Sequence, residues 1–322
     1  MGKVLVTGAA GFIASQVCDR LLVEGHEVVG IDNLNDAYDT RLKQWRLEQL
    51  QGRPNFVFHP LDICRREQLR ELFEAGFEAV INLAARAGVR QSTQNPWVYF
   101  ETNVTGTLNL LELSREFKVK KFVLASSSSV YGAGTSPPFR EDADTSKPLS
   151  PYAASKQGAE ALCHTYHYLH GIDITVLRYF TVYGPAGRPD MAPFRFVQWV
   201  AEEREVNIFG DGRQSRDFTY VEDIARGTVQ ALKPLGYEII NLGSDQPIVL
   251  LDALRVIEGC VGKKAKLKFS PRDPADVMIT WADINTAQRL LGWKPEHDFQ
   301  QGVEALVAWY KANRSWAQEI AT

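Results

Sequence analysis

The sequence predicts an α/β fold in which a doubly wound parallel sheet is joined to a second, smaller domain. Over the first half of the chain, six short runs rich in β-branched and apolar residues alternate with longer helical stretches: KVLVT, EVVGI, NFVFH, AVINLA, KFVLAS and DITVLRYF. This alternation is typical of a parallel sheet covered by helices on both faces. After Tyr179 the chain turns to loops rich in glycine, proline, arginine and aspartate, which suit a substrate-binding domain.

The remaining elements follow from the spaces between these runs. Helices are expected to end near Gly25, to cover an amphipathic insert around 42–50, and to span about 65–75, 96–117 and 152–170. We expect a Rossmann-type sheet domain at residues 1–178 and a substrate domain at residues 179–322. Because EIINLG at 238–243 has the composition of another buried strand, the chain is expected to return to the sheet domain around 217–245.

Composition argues against several classes of protein. The chain has 322 residues, of which 45% are hydrophobic, and its 36 basic and 39 acidic residues leave a formal net charge of −3. This balance gives no indication of nucleic acid or an anionic membrane as partner, and no segment approaches the ~20 apolar residues of a membrane span. The cysteines, Cys18, Cys64, Cys163 and Cys260, are far apart, as expected of reduced thiols in a cytoplasmic protein.

A metal site is not expected from the histidines. His164, His167 and His170 recur every three residues, which spreads them over a third of a helix circumference, and no acidic or thiol ligand is adjacent. Histidines at the surface or at an interface fit this pattern better.

The segment VLVTGAAGFIAS at 4–15 predicts a phosphate-binding turn. A strand leads into Gly8 and Gly11, and a helix follows, so backbone amides at the helix start can receive a pyrophosphate. The spacing is GxxGxxA, with Ala14 where a third glycine is usual. That third position governs the packing of helix on strand, so the methyl group of Ala14 is expected to affect packing and not phosphate.

Asp32 supports a dinucleotide as the ligand of this turn. It ends the second predicted strand, 21 residues after Gly11, where a carboxylate can accept hydrogen bonds from both ribose hydroxyls. The same carboxylate would repel a 2′-phosphate, which favours NAD over NADP. Asn33, Arg41 and Lys43 follow closely, and a cation among them would weaken that preference.

Two further segments carry groups suited to catalysis. In YAASK, Tyr152 and Lys156 are four residues apart and therefore share one face of a helix. A tyrosine has a pKa of ~10, and a neighbouring ammonium and a cationic nicotinamide would both stabilise its phenolate and so lower this pKa.

The four serines of ASSSSVYG follow a predicted strand, at the edge where doubly wound sheets bind ligands. They fit either ordinary turn chemistry or a donor cluster for a sugar hydroxyl and a carboxylate.

Seven segments resemble, in order, the motifs of one family: TGAAGFIAS, DNLND, NLAARAGVR, SSSSVYG, YAASK, RYFTVYGPAGRPDM and SRDFTYVEDI. The similarity runs nearly from end to end. The chain resembles the extended short-chain dehydrogenases/reductases, in the branch of nucleotide-sugar 4-epimerases, and most of all those acting on UDP-glucuronate. The resemblance implies NAD as a tightly held cofactor, a UDP-sugar as substrate, and a homodimer formed through paired helices.

The resemblance also implies roles for individual residues. Ser127, Tyr152 and Lys156 would form the catalytic triad. In the family mechanism, Tyr152 takes the proton of the sugar 4-hydroxyl as a hydride passes from carbon 4 to NAD. The resulting 4-keto sugar then rotates in the pocket, so that the hydride returns to its opposite face. The cofactor would be lined by Gly8, Gly11, Phe12, Ile13, Asp32, Asn33, Asp62, Ile63, Leu83, Ala84, Ala85, Asn103, Tyr152, Lys156 and Tyr179.

The substrate implied by the resemblance is a UDP-hexuronate. Thr181 stands where epimerases of neutral hexoses usually have asparagine, and Arg188 follows in GRPDM, so donors for a carboxylate are at hand. Related dehydratases and decarboxylases carry acids where this chain has Ser128 and Ser129. In PRDPAD, Arg272 stands one position earlier than the family's R-x-G-D arginine. The implied substrate residues are Arg90, Ser127, Ser128, Ser129, Tyr152, Thr181, Arg188, Arg216 and Arg272.

The sequence thus favours 4-epimerisation of UDP-glucuronate to UDP-galacturonate. Two alternatives stay open at this point. The chain could be an epimerase of UDP-glucose and UDP-galactose, or an NAD-binding regulatory module without catalysis.

Overall fold

A computed structural model of the protein describes residues 2–272 and 276–322; the middle of the PRDPAD segment, 273–275, lies outside the described residues. Its strands are β1 (Lys3–Thr7), β2 (Glu27–Ile31), β3 (Phe56–His59), β4 (Ala79–Asn82), β5 (Lys121–Ser127), β6 (Asp173–Tyr179), β7 (Thr181–Tyr183), β8 (Glu205–Phe209), β9 (Ser215–Tyr220), β10 (Tyr237–Leu242), β11 (Pro247–Val249) and β12 (Lys266–Ser270).

The helices lie mostly where the sequence predicts them. They are α1 (Phe12–Val23), α2 (Thr40–Glu48), α3 (Arg66–Phe73), α4 (Val89–Gln94), α5 (Trp97–Phe100), α6 (Gly106–Glu116), α7 (Pro151–His170), α8 (Ala192–Ala201), α9 (Val221–Gln230), α10 (Leu250–Val261), α11 (Asn285–Leu291), α12 (Phe299–Ala312) and α13 (Arg314–Ala317).

The described residues form a seven-stranded parallel sheet in the order β3-β2-β1-β4-β5-β6-β10. The strand order reverses beside β1, because β1 pairs with β2 on one side and with β4 on the other. Loops that leave β1 and β4 therefore diverge, and they open a crevice at the carboxyl edge of the sheet. The predicted α/β class with a doubly wound parallel sheet is confirmed.

Both faces of the sheet are buried, which explains its nearly continuous apolar strands. Side chains alternate along β1, so Val4 and Val6 join one core cluster while Leu5 joins the other. The first cluster also extends into the second half of the chain, as far as Trp309 and Ile320.

The second half adds smaller sheets beside the carboxyl edge. β7, β9 and β11 form one sheet, and β8 pairs with β12 in another. The chain changes sheets at Phe180, between β6 and β7, and its amide donates to the carbonyl of Leu242 in β10. α9 then packs on α1, and β10 completes the large sheet beside β6.

One predicted helix differs from the expectation. The span 96–117 contains α5, a π-helical turn at Glu101–Thr105, and α6. A π-turn inserts an extra residue into the helical ladder and is frequent at functional sites. Here the turn includes Asn103, which the resemblance places beside the cofactor. Across the described ranges, no helix is long and apolar enough to cross a membrane.

Candidate active site

The glycine turn is too tight for side chains at Gly8 and Gly11. Gly8 has a φ of +70°, and a Cβ there would come within 2.9 Å of the Cα of Ala84. A Cβ on Gly11 would lie 2.8 Å from the carbonyl oxygen of Gly8. No side chain among the described residues caps the start of α1 at Gly11, so its first amides can meet an anion. Ala14 is buried in the core cluster, where its methyl group packs.

The carboxylate of Asp32 lies directly after β2 and is paired. Its Oδ1 accepts from the amide of Leu34 at 2.8 Å and from the ammonium of Lys43 at 3.3 Å, and both charged side chains are buried. The neighbouring Asn33 donates to Asp62 at 2.8 Å. Burial raises the pKa of Asp62, but hydrogen bonds from Cys64 and Asn33 outweigh it and hold the pKa below its usual range. Loops after β2 and β3 are therefore tied together.

The loop after β4 is fixed from below by Thr7, the last residue of β1. Its hydroxyl donates to the side-chain oxygen of Asn82 at 2.7 Å and accepts from the amides of Leu83 and Ala84 at 3.2 and 3.0 Å. This places Leu83 and Ala84 beside the glycine turn, at the point where the sheet order reverses, and Ala85 follows them in the same loop.

Asn103 connects that loop to the helix bearing the tyrosine. Its side chain exchanges hydrogen bonds with the backbone of Arg86 at 2.8 and 3.0 Å and donates to Ser155 at 2.9 Å. Ile63 is buried, and its side chain lies close to Gly106, where a larger residue would collide with it.

Other predicted cofactor residues occupy more interior positions. Phe12 opens α1 and is buried, whereas Ile13 beside it is partly buried. Tyr179 ends β6, and its hydroxyl shares a 2.8 Å hydrogen bond with Thr228 of α9. Its phenol is thus engaged within the core, and burial raises its pKa.

Ser127 and Tyr152 come together at the end of β5. Ser127 is the last residue of that strand, and its hydroxyl accepts from the amide of Ser129 and donates to the Ser129 hydroxyl, both at 3.2 Å. Burial raises the pKa of Tyr152, while its hydrogen bond with Ser127 and the charge of Arg188 act in the opposite direction. The ring of Tyr99 meets that of Tyr152 edge to face at 6.2 Å.

Lys156 is anchored to the backbone. α7 begins with Ser150 as its N-cap, and Lys156 lies one turn beyond Tyr152 on the same helix. Its ammonium donates to the carbonyl of Ala125 at 2.9 Å. Burial lowers the pKa of Lys156 to about 8, although the charge of Glu160 opposes this effect. The charge of Arg188 also acts to lower the pKa of Tyr152, and the influence of Lys156 on the tyrosine stays a prediction.

Arg188 is a positive charge that acts on the tyrosine, and its side chain is only 25% exposed. Its Nε donates to Asp190 at 3.1 Å. Burial acts to lower the pKa of Arg188, but the carboxylate of Asp190 outweighs burial and keeps the pKa above its ordinary value. Thr181 opens β7, next to β9, and Ser128 starts the short 3-10 turn after β5.

The remaining arginines predicted to bind the substrate, Arg90, Arg216 and Arg272, form a positive cluster. Arg90, on α4, pairs with Asp276 and lies 4.0 Å from the ring centre of Phe209. Burial lowers the pKa of Arg216, which also faces the charges of Asp276, Arg90 and Arg272. Arg272 is exposed, and its side chain lies beside Gly210. A cluster of guanidinium groups with one carboxylate is suited to a diphosphate.

Sequence reasoning missed two arginines near the site, Arg195 and Arg46. Arg195, on α8, faces the charge of Arg90, and its Nε is buried without a hydrogen-bond partner within the described part of the chain. Arg46 is buried beneath the glycine turn. A signal for Arg46 was available, because it lies four residues from Leu42 and from Leu50 on the apolar stripe of the amphipathic insert.

The three histidines of α7 pack among aromatic rings. His164 and His167 lie against Tyr237, and His170 lies against Tyr166. No group of three or more potential metal ligands occurs in the portion that the structure describes.

Fold and site together define a protein of the short-chain dehydrogenase/reductase class: a doubly wound sheet carries a glycine turn, a carboxylate directly after its second strand and a YxxxK pair at its carboxyl edge. Comparison with known proteins agrees. The model of the NAD dependent epimerase/dehydratase family matches residues 4–243, and the chain belongs to this family.

The relatives include enzymes acting on acidic and on neutral sugars. The chain is 58% identical to a UDP-glucuronate 4-epimerase of Thermodesulfobacterium geofontis over 97% of each chain. It resembles the crystal structure of UDP-glucuronic acid 4-epimerase from Bacillus cereus in complex with UDP-glucuronic acid and NAD, with a TM-score of 0.92, 40% identity, and coverage of 97% and 99%. A UDP-glucose 4-epimerase from Thermotoga maritima with UDP-glucose has a TM-score of 0.90, 30% identity and the same coverage.

Proposed function

We propose that the protein is an NAD-dependent isomerase that interconverts UDP-glucuronate and UDP-galacturonate by epimerisation at carbon 4. The observation that carries the proposal is the environment of Tyr152. Its phenol has a hydroxyl partner in Ser127 and faces the cation of Arg188, which lies in the segment expected to recognise a carboxylate. The relatives named as UDP-glucuronate 4-epimerases support the same substrate.

The residues present fit NAD. Gly8 and Gly11 form a tight turn before the start of α1, where no side chain caps the first amides and a pyrophosphate can be received, and the carboxylate of Asp32 lies where the adenosine ribose is expected. When bound, NAD accepts a hydride from the sugar and later returns it. Further residues predicted to line the cofactor lie on loops after β2, β3 and β4, in the π-turn, on α1 and α7, and at the end of β6.

The chain's own residues would manage the proton. Tyr152 accepts the proton of the 4-hydroxyl, and the Ser127 hydroxyl donates a hydrogen bond that stabilises developing charge on oxygen. Lys156, fixed on Ala125, contributes positive charge while it stays protonated. Ser128, Ser129, Thr181 and Arg188 hold the carboxylate out of alignment with the transient ketone, so carbon dioxide is retained. The Arg90, Arg216 and Arg272 cluster receives the diphosphate.

Product chromatography tests this proposal. Purified enzyme is incubated with UDP-glucuronate, UDP-glucose or UDP-galactose, each alone and without added NAD. We expect UDP-galacturonate from the first substrate and little conversion of the others. Comparable turnover of UDP-galactose would favour the neutral-hexose alternative, and bound NAD without any turnover would favour the regulatory module.

The proposal includes the organisation of the protein. We propose an NAD-binding domain at 1–178, rejoined around 217–245 where β10 enters the large sheet, and a UDP-sugar domain at 179–322. We also propose a homodimer through α5 and α7, because these helices expose Trp97, Phe100, Tyr168 and Leu169. The free cysteines support a cytoplasmic location.

The dimer is tested by light scattering on size-exclusion fractions. Wild-type protein should have twice the mass of one chain, and Trp97→Glu should shift it towards the monomer. A monomeric wild type at micromolar concentration would contradict the proposal.

A further inference from the structure

Arg46 is a buried cation that the proposed reaction does not use. It lies on α2, is 2% exposed, and is placed between the rings of Phe12 and Tyr38, at 5.8 and 5.4 Å from their centres. Among the described residues, no carboxylate lies within ion-pair distance of it. Burying an arginine without a counter-charge is costly, so other contacts of its guanidinium group must offset that cost.

The hydrogen bonds of this guanidinium group all go to neutral oxygens. Nε and Nη2 both donate to the carbonyl of Ala186, at 3.0 and 2.7 Å, and Nη2 also donates to the carbonyl of Gly187 at 3.2 Å. Nη1 donates to the carbonyl of Ala10 at 3.2 Å and to the hydroxyl of Tyr38 at 2.7 Å. Five hydrogen bonds match the five N–H donors of a guanidinium, which lysine could not reproduce.

The loop held by Arg46 is conformationally demanding. Ala186 has a φ of +50°, in the left-handed region that residues with a Cβ rarely adopt, and its carbonyl accepts two of the five hydrogen bonds. Gly187 packs towards the ring of Phe12, where an added Cβ would lie 3.7 Å from Cζ. Arg188 is the next residue, so the fixed backbone determines the position from which its side chain extends.

The hydrogen bond to the carbonyl of Ala10 connects Arg46 to the turn predicted to bind the cofactor. Ala10 lies between Gly8 and Gly11 in the phosphate-binding turn, 36 residues from Arg46, whereas Ala186 is 140 residues away. One side chain therefore ties the turn expected to hold the pyrophosphate to the loop expected to hold the uronate.

We propose that Arg46 is a positioning residue for substrate specificity: it locks Ala186 and Gly187 against the phosphate-binding turn and thereby sets Arg188 for the carboxylate of the sugar. This inference rests on the proposed function. It assigns to Arg46 an effect on recognition of the carboxylate, with little effect on the uridine diphosphate moiety, which the arginine cluster would bind.

A double-mutant cycle tests the coupling. In a Tyr152→Phe background, which stops turnover, calorimetry gives dissociation constants for UDP-glucuronate and for UDP. Arg46→Lys should weaken UDP-glucuronate at least tenfold and leave UDP within twofold. Combined with Arg188→Met, the same substitution should have no further effect on UDP-glucuronate. Hydrogen exchange of the amides within 184–190, where Pro185 and Pro189 carry none, should accelerate in Arg46→Lys, and Tyr38→Phe, which removes one acceptor, should cause a smaller change in the same direction.

The matched control is Arg226→Lys. Arg226 is a partly buried arginine on α9 that donates to the carboxylate of Asp223 and to the carbonyl of Lys294. The substitution should leave both dissociation constants unchanged. Equal weakening of UDP and UDP-glucuronate, additive effects of Arg46→Lys and Arg188→Met, or unchanged exchange at 184–190 would overturn the role of Arg46. Wild-type enzyme that does not epimerise UDP-glucuronate would instead overturn the proposed function.

Discussion

The ammonium of Lys156 hydrogen-bonds the backbone carbonyl of Ala125 at 2.9 Å, so the lysine of the YxxxK pair is fixed to strand β5. The phenol of Tyr152 receives its electrostatic support from Ser127 and Arg188. The two members of the motif therefore have separate partners although they share one helical face. Their substitution should have distinguishable effects.

Tyr152→Phe should bind NAD and fold normally but lose turnover by ~10²- to 10⁴-fold, because the proton acceptor is gone. Initial rates with UDP-glucuronate measure the loss, and absorbance of released nucleotide measures NAD content. Tyr168→Phe, at an exposed position of the same helix, is the matched control and should retain full activity. Near-normal activity of Tyr152→Phe would remove this residue from the mechanism.

The rate should decrease as pH rises through about 8, since burial lowers the pKa of Lys156 to about 8 and its charge is then lost. Glu160→Gln should move this limb to lower pH, because the Glu160 carboxylate raises that pKa. Stability should respond with the opposite sign: the unfolded lysine keeps its proton up to its usual 10.5, so the folded state gains stability as pH rises above about 8. A pH–rate profile that is identical in both proteins would contradict the assignment.

Asp32→Ala should weaken NAD by ~1.5 to 3 kcal/mol, the range for hydrogen bonds to a charged group. It should also strengthen NADP, because Lys43 loses its carboxylate partner and can pair with a 2′-phosphate. Both affinities are measured after the bound nucleotide is stripped. In Asp32→Ala/Lys43→Met the gain for NADP should disappear. If Asp32→Ala alters neither affinity, Asp32 does not contact the ribose.

Ala14→Gly should leave NAD affinity unchanged and lower the free energy of unfolding by up to ~1 kcal/mol, because glycine is the poorer helix former. Ala14 is buried in the core, away from the edge that meets phosphate. Chemical denaturation and NAD titration measure the two quantities. Much tighter NAD binding in the variant would show that the methyl group hinders the pyrophosphate.

Thr181→Val should lose uronate activity or release carbon dioxide and a UDP-pentose, because one donor to the carboxylate is removed at a cost of ~1 to 3 kcal/mol. Chromatography and carbon dioxide release measure both products. Thr165→Val, an exposed position on α7, serves as the control and should behave as wild type. Unchanged uronate turnover in Thr181→Val would exclude Thr181 from the site.

The sheet and the glycine turn could be predicted because their signals are local. Buried strands of a parallel sheet are apolar on both faces, and Gly8 and Gly11 mark a turn within a few residues of β1. The fold class and the family were confirmed on this basis. Asp32 could be expected at the end of β2 for the same reason.

Contacts between distant segments could not be predicted in this way. Arg46 meets Ala186 across 140 residues, and Glu160 on α7 accepts a 2.8 Å hydrogen bond from the Arg178 guanidinium on β6. Nothing near Lys156 in the chain indicates that its partner is a carbonyl on β5. Such pairs depend on the register of the sheet and on where a loop returns, which local periodicity does not encode.

The core cluster that runs from Val4 to Trp309 has a consequence for cooperativity. A fragment ending at 178 would lack β10 and expose one side of β6, together with apolar side chains now covered by α9. We therefore expect that neither half folds alone as a soluble unit and that calorimetry of the whole chain shows one transition. Evolution could therefore vary the loops at the carboxyl edge freely, whereas exchange of the second half with that of another protein would require the shared interior to change with it.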